Sequence, residues 1–255
     1  MKKVMLSAAA LMIGAIGFAQ NNSSGIDQAG AGNSVDVKQY ETDQVSQVVQ
    51  AGNYQSAVVN QASLANFSNI VQNGTSNGAN VDQDGERGQS YITQAGQSNW
   101  SEVDQDGPDN LSSISQAGDS NSATVDQLPE GAWNESHIAQ AGNGNFAYVK
   151  QGQYNGGHNY SQISQNGDYN SASVDHQFGH YSNSYITQNG TSNFADVAQG
   201  SNYDSFITQN GMSNAATVDQ HGNNGGSGLS GVSSILQNGD SNSASVWQST
   251  SAPAN

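Results

Sequence analysis

The sequence predicts an all-β fold, a β-solenoid of ten strand-arc-strand repeats forming two facing parallel in-register sheets with cross-β, amyloid-like stacking. Three observations carry that prediction. The phrase Ser-x-Ile-x-Gln-x-Gly-x-x-Asn-x-Ala-x-Val-x-Gln recurs ten times with variations, starting at Ser24, Ser46, Ser68, Ser90, Ser112, Ser136, Ser161, Ser184, Ser205 and Ser233. Its period of about 22 residues is that of stacked repeats, whose single units cannot bury their own apolar faces. Within each copy the constant letters fall on alternate positions, which is the period of a strand.

Taken in order, the chain opens on Lys2 and Lys3, an apolar run from Val4 to Phe18, and small residues at Gly17 and Ala19. This is the pattern of a signal peptide over residues 1–19, cleaved after about Ala19. The run is too short to cross a bilayer, so the protein is expected to be secreted and not membrane-spanning. Residues 20–23 form a short N-terminal segment, the repeats occupy 24–248, and a tail follows over 249–255. In the third copy Ser68, Ile70 and Gln72 alternate, Asn73-Gly74-Thr75-Ser76 interrupts, and Asn77, Ala79, Val81 and Gln83 alternate again. Every copy places Gly second in that interruption, from Gly30 to Gly239, where a sharp arc asks for positive φ. Pro108 and Pro129 lie between repeats and Pro253 in the tail, where a missing N–H breaks no ladder bond. The longer connections, 128–135, 152–160 and 221–232, also fall at joints.

The alternation separates Ser, Ile, Gln, Asn, Ala, Val and Gln from the variable positions, and the constant set is expected to face inward. Polar amides then make up much of the interior. A Gln amide can donate to the Gln above and accept from the Gln below, so a stacked column satisfies each member. All acidic residues fall on the outward phase, which avoids burying an unpaired carboxylate.

Composition excludes several functions. The formal charge is −16, and removing Lys2 and Lys3 with the signal makes it −18. Lys38, Arg87 and Lys150 are the remaining cations, too few for a nucleic-acid groove. There is no cysteine, hence no disulfide, thiol chemistry or thiolate metal site. No nucleophile elbow, phosphate loop or His-Glu-x-x-His pair occurs, so neither an enzyme nor a cofactor is expected. His137, His158, His176, His180 and His221 share no spacing. Asp82, Asp104 and Asp126 hold equivalent outward positions in consecutive repeats and would stack about 5 Å apart. Such a column is a candidate cation site or a gatekeeper that slows assembly until pH falls; a solvated acidic face is the plainer reading. Tyr91, Trp100, Phe146, Tyr148, Tyr185, Phe194, Phe206 and Trp247 also fall outward.

The pattern Gln-x-Gly-x-x-Asn-x-Ala with a second Gln four residues after the Ala resembles the curlin repeat of bacterial curli, the amyloid fibres of biofilm matrix. The resemblance covers 24–248. It implies that the inward residues hold the fibre together, beginning with Ser24 and Ile26 and closing with Ser233 and Ile235. The first strands contribute Gln28, Gln50, Gln72, Gln94, Gln116, Gln140, Gln165, Gln188, Gln209 and Gln237. Arc-side positions are Asn33, Gln55, Asn77, Asn99, Asn121, Asn145, Asn170, Asn193, Asn214 and Asn242. Second strands end on Gln39, Gln61, Gln83, Gln105, Gln127, Gln151, Gln199, Gln220 and Gln248. In the seventh copy His176 takes the last Gln position with Gln177 behind it, which predicts a bulge or register shift. Curlin subunits commonly set the Ser two residues earlier than here.

A solenoid that stays monomeric protects its ends with atypical units, whereas here the first and last copies keep the inward pattern of the middle. The expectation is a structural subunit of an extracellular fibre that assembles end to end for biofilm matrix, adhesion and surface attachment. The resemblance implies a homopolymer as partner, with a nucleator subunit and a curli-type outer-membrane channel served by periplasmic chaperones. The alternative is a soluble monomeric solenoid that presents its outer face to ice, a glycan or a protein.

Overall fold

The computed structural model describes residues 21–152, 157–176, 180–221 and 230–249. The signal, Gln177 and most of the tail lie outside the described residues. One sheet contains β1 (Ser23–Ala29), β3 (Val45–Asn53), β5 (Phe67–Thr75), β7 (Gln89–Gln97), β9 (Leu111–Asp119), β11 (Glu135–Ala141), β13 (Tyr160–Asp168), β15 (Asn183–Thr191), β17 (Tyr203–Met212) and β19 (Gly231–Asn238). The other contains β2 (Ser34–Gln39), β4 (Ser56–Gln61), β6 (Gly78–Gln83), β8 (Trp100–Gln105), β10 (Ser122–Gln127), β12 (Phe146–Gln151), β14 (Ser171–His176), β16 (Phe194–Gln199), β18 (Ala215–His221) and β20 (Ser243–Ser249). Each sheet has ten parallel strands, and consecutive repeats are neighbours in both. The chain is a β-solenoid. Among the described residues no helix is long and apolar enough to cross a membrane.

Register follows the repeat. Ser68 pairs with Ser90, Ile70 with Ile92 and Gln72 with Gln94 in the first sheet. Val81 pairs with Val103 and Gln83 with Gln105 in the second. A one-residue slip would turn every Ile, Val and Gln to the outside, so the alternation itself holds the register. The dry part of the core is the Ile column of the first sheet packed against the Ala and Val columns of the second, with Ile70, Val81, Val103 and Val125 wholly buried. Each arc turns at a glycine. Gly74 has φ +116°, and a Cβ there would sit 2.0 Å from the carbonyl oxygen of Gly96 in the next layer. Glycine is demanded twice, by its own conformation and by the layer stacked on it.

At His176 the two sides of β14 differ: its pairing with β12 ends at Lys150–Asp175, one residue short of Gln151–His176, while toward β16 it stays in register. His176 pairs in register with Gln199, and Asp175 with Ala198 before it. The imidazole occupies the Gln slot, wholly buried. The ring fills the space of the amide while the ladder to β12 closes one pair early.

Candidate functional site

The interior amides are hydrogen-bonded in columns that run the length of the solenoid. In the first sheet Gln28 Nε2 donates to Gln50 Oε1 at 2.7 Å, Gln50 to Gln72 at 2.8 Å, and Gln72 to Gln94 at 2.8 Å. The chain of donors continues through Gln116, Gln140, Gln165, Gln188 and Gln209 to Gln237 without a gap. From Gln50 onward each rung spends its second N–H on a second-sheet carbonyl of the preceding layer, as Gln94 Nε2 does on Gly78 O at 2.9 Å. In the second sheet the column runs Gln39, Gln61, Gln83, Gln105, Gln127, Gln151. Its second N–H crosses to the first sheet within the same layer, as from Gln83 Nε2 to Phe67 O at 3.1 Å. One column ties a layer to the layer before it and the other closes the layer on itself. Both amide hydrogens of a buried Gln are thereby used.

Past Gln151 the second column breaks. His176 Nε2 is 2.9 Å from Ser184 Oγ, and Ser184 Oγ donates to Gln199 Oε1 at 2.5 Å. That hydroxyl has a single hydrogen, which goes to Gln199, so it accepts from His176, whose proton is on Nε2. Nδ1 has no partner. Burial lowers the His176 pKa to about 4 and keeps the ring neutral. The amide column resumes from Gln199 through Gln220 to Gln248.

The arc-side Asn residues act mainly on backbone. Asn99 Oδ1 accepts the Asn121 backbone N–H at 3.0 Å, and Asn99 Nδ2 donates to Gly118 O of the next layer at 2.7 Å. The same pair of bonds recurs at Asn121, Asn145, Asn170, Asn193 and Asn214, and Gln55 substitutes with a 3.3 Å bond to Gly74 O. These residues satisfy arc carbonyls that the sheets leave unpaired.

The Ser column corrects the sequence reading. Ser24 and Ser233, grouped above with the ladder, form no ladder. Their Oγ atoms, with those of Ser46, Ser68, Ser90, Ser112, Ser136 and Ser205, lack a hydrogen-bond partner. A Ser side chain is too short to bridge the roughly 4.8 Å between layers, which a Gln spans. A second amide column went unnoticed in the joints. Gln44 N donates to Asn22 Oδ1 at 2.9 Å, Asn134 N to Asn110 Oδ1 at 2.9 Å, and Asn159 N to Asn134 Oδ1 at 3.2 Å. The signal for it lay in the sequence: Asn22, Asn66, Asn110, Asn134 and Asn159 each stand two residues before the repeat's Ser. This is also the position where curlin subunits commonly set their Ser.

On the outer face of the second sheet Asp82, Asp104 and Asp126 stack in register. Burial, then the charges of Asp106 and Asp126, push Asp104 up to about 7. Asp82 and Asp126 are raised chiefly by partial burial as well, with Lys150 beside Asp126 pulling the other way. Among the described residues no three His, Cys, Asp or Glu side chains are grouped to hold a metal ion.

The first layer and the last strand, β20, carry the inward pattern but not the inward burial. Gln28 is exposed and Ile26, Asn33 and Val37 are half-exposed, while their counterparts Gln72, Ile70, Asn77 and Val81 are buried. Within both Gln columns amide-to-amide donation runs one way, from each layer to the one after it. The first layer's Gln28 and Gln39 therefore offer free Oε1 acceptors. The last layer's Gln237 and Gln248 donate to Ala215 O and Val232 O and keep an N–H for a further layer. The family model of the curlin associated repeat matches residues 102–128, which hold the Gln105, Gln116, Asn121 and Gln127 rungs. That stretch, about one layer long, is similar to the curlin associated repeat. No curated protein matches it. The curlin repeat here is thus a closed hydrogen-bonded layer whose two faces are complementary in donors and acceptors.

Proposed function

We propose that this protein is a structural, non-catalytic subunit of an extracellular curli-like amyloid fibre, built end to end from copies of itself. The observation that carries the reading is the match between the two ends. The last layer offers Gln237 and Gln248 donors, an Ile235 and a Val246 where the first layer offers Gln28 and Gln39 acceptors, an Ile26 and a Val37. A second copy stacked head to tail would continue both sheets and both Gln columns with no change of register. This interface is heterologous and does not close, so it generates a filament. The charge of −16 opposes association in bulk solution and slows growth without blocking it. The signal peptide directs the chain out of the cell, where the fibre serves matrix, adhesion and surface attachment. A nucleator subunit, an outer-membrane channel and periplasmic chaperones complete the expected set of partners.

Incubation of the chain from residue 20 onward, followed by thioflavin fluorescence and fibre diffraction, tests the reading. A sigmoidal rise and a meridional reflection near 4.7 Å, the inter-strand spacing, are expected. Chains that remain monomeric for days overturn it.

A further inference from the structure

We propose that the outer face of the first sheet is a lateral docking surface for a second copy of this chain. Two filaments pair back to back through it and leave the outer faces of their second sheets in solvent. The proposal rests on the fibre reading and adds a second, sideways interface to it.

The two outer faces differ in how their charge is arranged. Outward positions of the second sheet carry eight carboxylates, including Asp82, Glu102, Asp104, Asp126, Asp175 and Asp219, against Lys38 and Lys150. Two such faces brought together would repel. The first sheet's outward positions carry Asp27, Asp119, Glu135, Asp168 and Asp204, with Asp119 and Asp168 at the arc ends of their strands, where they accept the backbone N–H groups of Gln97 and Asn143. Glu135 is paired with His137 at 2.6 Å, and Asp204 accepts from Asn183 Nδ2 at 2.7 Å. The second face stacks Asp82, Asp104 and Asp126 in consecutive layers, whereas no carboxylate of the first face pairs in register with another, so the first is the face that like chains bring into contact more readily.

That face also carries a continuous aromatic strip. His137, Tyr160, Tyr185 and Phe206 come from four consecutive layers, with ring centroids 5.6, 5.4 and 5.0 Å apart in turn. Along the adjoining edge Trp133, His158 and Tyr181 stack nearly parallel, 6.2 and 5.0 Å apart. Trp133 and Tyr181 are 57% and 61% exposed. The second face has Trp100, Phe146 and Phe194 only in alternate layers, separated by Ser122 and Ser171. Among the described residues no ring contact joins them. A run of touching rings is an apolar patch of the kind that marks an interface, while isolated rings are ordinary.

Periodicity and area favour a second copy over another partner. The strip spans four layers and recurs once per subunit of a filament, so a second filament of the same subunit is commensurate with it. Ten layers of about 4.8 Å by strands of about 20 Å make a face near 1,000 Å², above the roughly 800 Å² per partner of a stable interface. In a filament the face repeats with every subunit, so weak contacts add.

The double variant Tyr185→Ser, Phe206→Ser tests the proposal, because Ser113 and Ser234 already occupy the same column and the core is untouched. Phe146→Ser, Phe194→Ser removes comparable apolar area from the opposite face as the control. Mass per length by scanning transmission microscopy is expected to be twofold lower in Y185S/F206S than in the wild type and the control, with seeded elongation rates within about twofold. Equal mass per length in all three, or equal loss in both variants, overturns the proposal. So does wild-type fibre that remains single until an insoluble β-glucan is added, which assigns the face to a glycan. If no fibre forms at all, the fibre reading fails. The face is then read in the soluble solenoid: a wild-type dimer by sedimentation that Y185S/F206S abolishes supports it, and a wild-type monomer sinks it.

Discussion

The Gln column of the first strands passes through all ten layers, whereas that of the second strands is cut at His176. The two columns share geometry and chemistry, so the cut shows what a ladder needs. Where amides are continuous, the neighbouring Ser hydroxyls are idle. Around the cut they are recruited: Ser161 Oγ lies 3.0 Å from the Gln151 amide, and Ser184 relays between His176 and Gln199. Ser101, which stands where Ala is usual, adds a second donor to the Gln116 oxygen beside the unbroken column. The Ser column is a reserve of small hydroxyls beside the amides, used only where a rung departs from the repeat. Buried polar groups left without partners are costly, and a reserve lowers the cost of sequence drift.

The largest effect is expected from breaking the intact column. Gln188→Leu strands the Gln165 amide and the Gln209 oxygen in the core, at about 1–3 kcal/mol each. Chemical denaturation of the monomer is expected to show a loss of several kcal/mol; a loss below about 1 kcal/mol would mean that the column is decorative.

Repairing the broken column sharpens the comparison through pH. The folded pKa of His176, about 4, lies below the usual value of 6.5. The folded state therefore binds the proton less well than the unfolded chain, and the contribution of neutral His176 is complete above pH 6.5 and lost as pH falls toward 4. His176→Gln is expected to remove that loss, so that the variant outlasts the wild type by on the order of 3 kcal/mol near pH 4. Stability curves that stay parallel from pH 7 to 4 would contradict this.

The acidic column has the opposite sign. Asp104 titrates near 7 in the fold, above its ordinary value, so its unfavourable charge is relieved as pH falls from about 7 toward 4. Asp104→Asn is expected to shorten the assembly lag at pH 7 and to flatten its pH dependence, measured by thioflavin kinetics at fixed ionic strength. An unchanged lag removes Asp104 from the list of gatekeepers.

A smaller contrast tests the reserve itself. Ser184→Ala is expected to cost about 1–3 kcal/mol because Gln199 Oε1 and His176 Nε2 lose their partner, whereas Ser112→Ala is expected to be neutral or slightly stabilising. Equal effects at both sites in denaturation would refute the recruitment. Smallest of all is Ser120→Gly. Ser120 holds φ +59°, a conformation that Gly32 and Gly144 supply in other layers, and a gain of about 0.5–1 kcal/mol is expected.

Most of the interior was legible because an in-register stack copies a local pattern into three dimensions. Ile70, Val81, Gln72 and Gln83 could be assigned inward from alternation alone. The joint column of Asn110, Asn134 and Asn159 was hidden by unequal spacing, since insertions between repeats move each Asn relative to the last Gln while keeping it two residues before the Ser. The idle Ser hydroxyls were misread because alternation reports which side a residue faces and not how far its side chain reaches. His176 looked like a register fault, since a sequence does not state that an imidazole fits an amide's slot.

The sequence by itself determined the number of layers, the phase of every strand and the identity of the amide rungs, because period and alternation are properties of neighbours along the chain. The tertiary structure alone decided which way the amides donate, which Ser hydroxyls are called on, and which outer face gathers touching rings. Those depend on atoms about 22 residues apart meeting across one layer spacing, and such meetings are set by the stack and not by any single repeat.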